Sequence, residues 1–478
     1  MDLQKCNKII THKGYSIRKS FLKPKDLEMI MKYCIVEPTI DERYKKSEGK
    51  FNIYKESPER YYLPREWALL KFGKPDANIL SEGLDLSDSS ADFHGSPYEY
   101  QKDIINTYLQ SQRNGLICVP CGKGKTFMAL NIASQIKKRF LIVVDKEFLM
   151  NQWKGEIAAV LPNLRVGIIQ ADRREASAEK YDCSICMIQT LCGQTFPDKF
   201  FDEYGLTIFD ECHHLGAQHF CKSLFKVQTK KLLGLSATPV RADGLTKVFE
   251  MFLGKPLYWE KIREADPSVV VKAVNITCQD VDYMRIPYDY KHDVIIARLL
   301  TYVVECKERN IEIARWVINM AKESGRKILV LSARIAHLEA IAALIPTEIT
   351  RSYYIGGMKE EIRETGAKES TVLLASYSMA SEAMNIKSLN TVIMASPRSN
   401  VEQSTGRILR TRISERTVQP IIIDIIDPHA PFQSQWNRRH TYYKKCTYSV
   451  ETIQQGEDKG LETNLTVADE NGCLFSDE

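Results

Sequence analysis

No stretch of this chain approaches the roughly 18 consecutive apolar residues that a membrane-crossing helix requires, although 44% of its 478 residues are hydrophobic. The opening Met1-Asp-Leu-Gln-Lys5 lacks the apolar segment of a secretory leader. Both absences lead to the expectation of a soluble, intracellular globular protein with no membrane partner. One-sided charge is missing too: 66 Lys and Arg face 61 Asp and Glu, for a net charge of +5. So even a balance does not by itself establish nucleic-acid binding. No unit of roughly 20 to 50 residues recurs along the chain, so repeat architectures are not expected. Cysteine, by contrast, is plentiful, with thirteen residues, among them the Cys-x-x-Cys pairs Cys118/Cys121 and Cys183/Cys186. Each pair is half of a zinc-ribbon pattern. Cys118 sits in a strand-like run with Cys121 in the loop after it, and Cys183 and Cys186 share another such run, where residues three apart point to opposite faces. They are therefore expected to be small buried residues in a reducing compartment.

What the chain does have is alternation. From Gly115, short apolar runs (LICVP, FLIVVD, RVGIIQ, DCSICMI, LTIFDE, LLGLSAT) take turns with helical stretches, and a second series (KILVLSA, TEITRSYYIGG, TVLLAS, TVIMAS, PIIIDII) follows from near Val294. Alternation of this kind implies parallel sheets covered by helices. The expected fold class is α/β, with two tandem doubly wound parallel-sheet domains over residues 94–265 and 285–430. Pro24, Pro38, Pro58 and Pro64 interrupt the apolar stretches of residues 1–80, which read as a small accessory domain. The polar, acidic stretch after it reads as a linker, residues 81–93. Residues 431–478 read as an extension: a basic, aromatic segment from Asn437 to Lys445, then a stretch with eight acidic residues against one Lys from Glu451 onward, the last twenty or so residues of which are expected to form a flexible tail.

Pro120-Cys121-Gly122-Lys123-Gly124-Lys125-Thr126 follows an apolar strand and opens a helix. In that setting glycines let backbone N–H groups converge on phosphate oxygens, Lys125 reaches the terminal phosphates, and Thr126 offers a hydroxyl to Mg²⁺. The widest form of the motif has glycine where this chain has Val119. Some 85 residues later the run Leu206–Phe209 ends in Asp210-Glu211-Cys212-His213. Two adjacent acids at a strand's carboxyl end suit metal-assisted hydrolysis, with Asp210 toward Mg²⁺ and Glu211 as the base that orients the attacking water. ATP and Mg²⁺ are the expected cofactors. His213 and His214 are read as non-metal residues, with His213 bonding toward the next motif.

The phosphate loop, the Asp210–His213 box, Ser236-Ala237-Thr238 and Gln403-Ser-Thr-Gly406-Arg407-Ile-Leu-Arg410 stand in the order and rough spacing of superfamily 2 helicases, which this chain resembles over residues 95 to 430. Within that superfamily the stretch from Ala237 to Gly244 is similar to the branch containing the xeroderma pigmentosum group B repair helicase. HKGYSIRKS, YYLPREWALLKFG and QWNRRHTYYKK resemble helicases of large cytoplasmic DNA viruses, a group related to the poxvirus transcript-release helicase. The resemblance implies two RecA-like domains and further roles. Gln101 would contact the base, since an amide both donates and accepts. Arg407 and Arg410 would act as arginine fingers beside Gln403, and His213, Ser236, Ala237 and Thr238 would couple nucleotide to movement. Gln189, Thr190, Ser332, Arg334, Gly356, Gly357 and Ser376 would contact nucleic acid. Ala383 and Asn385 depart from the Gly and Asp that many relatives carry there, which leaves the coupling through that loop open. The basic segment 437–445 could stack on bases, though at helical spacing its aromatics are better read as packing on the second domain.

The function so implied is an ATP-dependent helicase or translocase moving 3′ to 5′ on single-stranded or duplex nucleic acid, DNA in preference to RNA, in viral transcription, replication or repair. A viral RNA polymerase or transcription complex would be the protein partner, and the infected cell's cytoplasm or the virion the location. The alternative is a nucleotide-switch subunit that clamps a transcription complex without separating strands. A nuclease motor is a third reading, and no carboxylate cluster outside the two domains suggests a cutting site for it.

Overall fold

Strands covered on both faces are unbroken apolar runs, and the runs between Leu116 and Ser236 become such strands: every residue of Phe140–Val144, Cys183–Met187 and Leu206–Phe209 is buried. The computed structural model describes residues 3–38, 49–111, 113–120, 122–197, 199–227, 229–237, 239–241, 243–260, 265–382, 384, 386, 388–399, 401, 405 and 416–457. The chain divides into two compact units, Met1–Lys261 and Ile262–Glu478. Among the described residues no helix is long and apolar enough to cross a membrane.

The main sheet of the first unit has the strand order Arg173–Arg174, Val166–Gln170, Cys183–Met187, Phe140–Val144, Leu206–Phe209, Lys231–Ser236, Gly115–Cys118, Pro256–Trp259. Every pairing is parallel except that of the edge strand Arg173–Arg174. Cys183 packs into one of its two core layers and Cys186 into the other, as strand alternation requires.

Residues expected to form a separate accessory domain are joined to this unit. They build a five-stranded sheet in the order Lys55–Glu56, Arg60–Leu63, Gly14–Arg18, Lys8–Thr11, Ala77–Asn78. The helix after it, Arg65–Phe72, is tied down by polar bonds: Arg65 donates to the carbonyls of Thr229 (2.8 Å) and Lys230 (3.3 Å), and Asn114 donates to Glu66 (2.6 Å). The stretch 81–93, read as a linker, is a packed strap. Leu86 and Ala91 are buried in the core and the Ser90 hydroxyl donates to Asp182 at 3.1 Å. Its acidic composition hides apolar residues spaced to reach the sheet.

The second unit extends beyond the expected 285–430. Its sheet runs Arg351–Tyr354, Val372–Ser376, Ile328–Ser332, Thr391–Met394, Ile421–Ile426, Val270–Asn275, Ser449–Gln454, all in parallel. Val270–Asn275 lies between two other strands, so the unit cannot begin at 285. Ser449–Gln454 closes the edge, so residues after 430 are part of the sheet and its cover and not an extension. The helix Ala430–Lys445 carries the basic, aromatic segment. Arg439 grips Asp424 through two bonds of 2.8 and 2.9 Å, and the Tyr443 hydroxyl donates to the same carboxylate at 2.9 Å. That side of the segment packs inward, leaving Arg438, Lys444 and Lys445 exposed. The expected flexible tail from 458 onward lies outside the described residues.

Candidate active site

In a parallel sheet all carboxyl ends fall on one edge, where loops can converge. Here five adjacent strands deliver Gln189, Asp145, the Asp210–Glu211 pair, Ala237 and the Gly122–Lys125 loop to the same edge. Gly115–Cys118 is fully buried and continues through Val119, whose N–H donates to the Ser236 carbonyl at 3.2 Å. Val119 is itself fully buried, so the position faces the core and has no need of glycine. The turn needs glycine three residues later: Gly122 has φ +88° and Gly124 φ +79°, a region in which side chains are strained. A Cβ on Gly124 would also meet Nε2 of Gln101 at 2.6 Å. The helix Lys125–Ile136 starts directly after it, with its first N–H groups toward the loop.

Gln101, expected at the base, is buried and braces the loop. Its Nε2 donates to the Lys123 carbonyl at 3.0 Å and its Oε1 accepts from the Tyr98 N–H at 3.0 Å. The Tyr100 hydroxyl donates to the same Lys123 carbonyl at 3.2 Å, and the Lys123 ammonium lies 4.9 Å above the Tyr100 ring and 3.5 Å from Glu260.

The acid pair sits at the end of Leu206–Phe209. Asp210 accepts from the indole N–H of Trp153 at 2.8 Å and from the Glu211 N–H at 2.9 Å. Burial, and then the neighbouring Glu211 charge, push its carboxyl up to about 6. Glu211 occupies left-handed backbone, φ +41°, a strained conformation for a non-glycine residue. Its Oε1 lies 3.7 Å from the Lys125 ammonium and its Oε2 3.3 Å from His213 Nδ1. His213 Nδ1 is also 3.0 Å from the Ser236 hydroxyl, which links the acid box to the end of the next strand. Burial holds the His213 imidazole down at about 4, so it is neutral at pH 7. Arg241 donates to the His213 carbonyl at 2.6 Å and pairs with Asp243, Nε to Oδ1 2.9 Å. His214 lies 3.6 Å from Asp145, a carboxylate raised by burial.

The residues expected on nucleic acid divide into two groups. Gln189 is exposed and donates to the Asp145 carbonyl at 2.7 Å, but Thr190 is buried and accepts from the Ala171 N–H at 3.0 Å. In the second unit Arg334, Gly356 and Gly357 are exposed and Ser376 is half-buried, all at the carboxyl edge of three adjacent strands. Ser332 is fully buried: its hydroxyl meets His337 Nδ1 at 2.8 Å and accepts from the Arg334 N–H at 3.1 Å. Cys121, Thr238, Ala383, Asn385, Gln403, Gly406, Arg407 and Arg410 lie outside the described residues. Trp153, Asp145, Tyr100 and Arg241 were not singled out from the sequence. Only Arg241, inside the Ala-Thr-Pro-Val-Arg stretch, carried a signal that could have found it.

Two family profiles match the chain: "Type III restriction enzyme, res subunit" over residues 94–241 and "Helicase conserved C-terminal domain" over residues 310–413. The chain is 30% identical to "Putative ATP-dependent RNA helicase L396" of Acanthamoeba polyphaga mimivirus, across 92% of this chain and 86% of that protein. It is 26% identical to QP509L of African swine fever virus, a protein of the same designation, across 74% of each. Among solved structures, S. cerevisiae Dbp5 bound to RNA and ADP BeF3 matches with a TM-score of 0.53 at 10% identity, covering 76% of this chain and 90% of that one. At that identity the likeness concerns the fold alone.

Proposed function

Since this chain belongs to the superfamily 2 helicases, ATP-dependent enzymes built on two RecA-like domains, we propose that Lys125, Thr126, Asp210 and Glu211 carry its hydrolysis of ATP. The observation that carries this reading is the contact of Lys125 with Glu211 at 3.7 Å, with Asp210 next in the chain and held by Trp153. A cationic phosphate binder, a candidate base and a candidate metal ligand thus meet at the mouth of a loop whose glycines expose backbone N–H groups.

The donor set fits a divalent cation. Asp210 keeps its proton up to about 6 because it is buried beside another acid, and a cation would offset that repulsion. Asp210 and the Thr126 hydroxyl would hold Mg²⁺, which supplies charge neutralisation at the phosphates. Gly122 to Gly124 cradle the phosphate oxygens, Lys123, Pro120 and Cys121 shape the loop, and Gln101, braced on Lys123, contacts the base. Glu211 accepts the proton of the attacking water. The resemblance gives Arg407 and Arg410, with Gln403, the neutralising of the charge that develops as the phosphoryl group leaves. His213 and Ser236, 3.0 Å apart, with Ala237 and Thr238, pass the state of the acid box to the rest of the unit. Arg334, Gly356, Gly357, Ser376 and Gln189 grip nucleic acid. The buried Ser332 and Thr190 position backbone beneath that grip.

The finer reading is a translocase on DNA in viral transcription, replication or repair, working with a viral RNA polymerase or transcription complex. Likeness to the xeroderma pigmentosum group B branch supports DNA, and the viral origin of the relatives supports the setting. The relatives' own designation is RNA helicase, so the test carries both arms. ATP hydrolysis is measured alone, with single-stranded DNA and with single-stranded RNA. Stimulation that grows with strand length is expected, larger for DNA. Glu211→Gln should lower kcat by about 10²–10⁴ while keeping nucleotide binding, and Lys125→Ala should lose both. Hydrolysis indifferent to nucleic acid would leave the nucleotide-switch reading, and hydrolysis indifferent to both substitutions would sink the site.

A further inference from the structure

Away from the sheet edge just described, the small five-stranded sheet sets two arginines directly against each other. In the antiparallel pairing of Gly14–Arg18 with Arg60–Leu63, Arg18 is the cross-strand partner of Arg60. Like charges in that relation repel, and among the described residues neither arginine has a carboxylate bonded to it. Arg60 donates instead to neutral oxygens, the Asn7 carbonyl at 3.4 Å and the Ser16 hydroxyl at 3.2 Å, and also to the Cys6 carbonyl. Nε of Arg18 is buried without a hydrogen-bond partner among the described residues. Both side chains line a cavity of about 750 Å³ together with Ile9, Lys19, Ser20 and Glu59. Of the acids nearby, Glu56 is held by Lys19 at 2.7 Å and Asp76 accepts from the Asn7 and Lys8 N–H groups, which leaves Glu59 as the one acid among the described residues that line the cavity.

We propose that this cavity is a phosphate site, and that the phosphate it takes is a phosphodiester of the nucleic acid on which the motor works. Guanidinium groups match phosphate oxygens through paired N–H donors, and an anion between Arg18 and Arg60 would relieve their repulsion and satisfy the buried Nε. A polynucleotide is favoured over a free small anion by the neighbouring side chains. On the face shared by Arg60, Tyr62 lies two residues along the same strand, with the Lys13 ammonium 5.8 Å from its ring, while Lys19 stands 4.8 Å from the ring of Tyr61, which alternates to the other face. A half-exposed aromatic beside a lysine, on the face of the two arginines, suits a strand of linked nucleotides. The inference rests on the motor reading and gives residues 3–80 a role in it, as a second grip outside the two sheets.

The test uses Arg18→Gln and Arg18→Lys in the full chain. Arg60 is left alone because it ties Asn7, Cys6 and Ser16 together. The side chain of Arg18 has no such bond among the described residues, so both variants should melt with the parent. Binding of single-stranded DNA and RNA is followed by fluorescence anisotropy across a salt series, and binding of inorganic phosphate and pyrophosphate by titration calorimetry. Arg18→Gln should weaken polynucleotide binding several-fold and reduce the slope of log K against log salt by about one, with Arg18→Lys retaining most of that slope. Loss of phosphate or pyrophosphate binding with an unchanged polynucleotide slope would overturn the polynucleotide assignment. No change in either would overturn the site. The motor reading is judged separately, on nucleic-acid stimulation of the unsubstituted chain.

Discussion

Asp210 depends on a residue that no motif singled out. The indole N–H of Trp153 reaches its carboxylate at 2.8 Å, and a bond to the charged form opposes the rise that burial and Glu211 impose. Trp153→Phe keeps the buried ring and removes the donor. The Mg²⁺ concentration for half-maximal hydrolysis should rise about ten-fold or more, as for other partners of metal ligands. An unchanged Mg²⁺ titration would mean that Trp153 only fills space. Lys125, Asp210 and Glu211 were legible in the sequence because each belongs to a contiguous segment whose chemistry demands that residue type. Their supports were not legible. Gln101 was read at the base from the resemblance, and that its amide also braces the loop through Lys123 and Tyr98 was not readable. Ser332 was assigned to nucleic acid, and its hydroxyl is enclosed with His337.

At the scale of elements, the phosphate loop shows how a strand, a turn and a helix constrain one another. The positive φ of Gly124 and the 2.6 Å approach of Gln101 to its missing Cβ leave no room for another residue. Gly124→Ala should cost roughly 1–2 kcal/mol from left-handed backbone alone, visible as a lower melting temperature together with weaker nucleotide binding. A variant that melts and binds like the parent would show that the loop relaxes freely. In the second unit, the strand Ile421–Ile426 and the helix Ala430–Lys445 are joined by the buried Arg439–Asp424 pair. Removing one partner of such a pair strands a charge, so Asp424→Ala should destabilise by roughly 3–5 kcal/mol, measured by chemical denaturation. The helix itself was readable from spacing. That its Arg439 and Tyr443 converge on one carboxylate was not, because strand and helix orientation decide it.

For the molecule as a whole, stability should carry a histidine-dependent acid limb. His337, between Ser332 and Asn310 at 2.8 and 2.9 Å, is held well below its ordinary pKa by burial first and by the Arg309 charge second. The unfolded chain therefore binds a proton there that the folded chain refuses. The stability of the neutral form is complete above about pH 6.5 and is lost as pH falls below it, by about 1.4 kcal/mol per pH unit. Asp210, Asp145 and Glu250, whose carboxyls are raised, act in the opposite sense, so the comparison must be with a variant. His337→Asn should flatten the fall in denaturation midpoint between pH 6.5 and 4.5 by about that slope; parallel curves for the two proteins would exclude it. The two sheets were visible as alternating apolar runs, since a strand covered on both faces has few other compositions open to it. Their limits were misjudged because Val270–Asn275 finds its partners far along the chain, at Ile421–Ile426 and Ser449–Gln454. The sequence alone determined the fold class and brought forward the groups proposed for the chemistry, because period and contiguous motifs are local properties. Tertiary structure alone decided how those groups are held: Gln101 reaches Lys123 across 22 residues, His213 reaches Ser236 across 23, and Trp153 reaches Asp210 across 57. It also decided that Arg18 and Arg60 face each other, since cross-strand register appears only once the chain has folded.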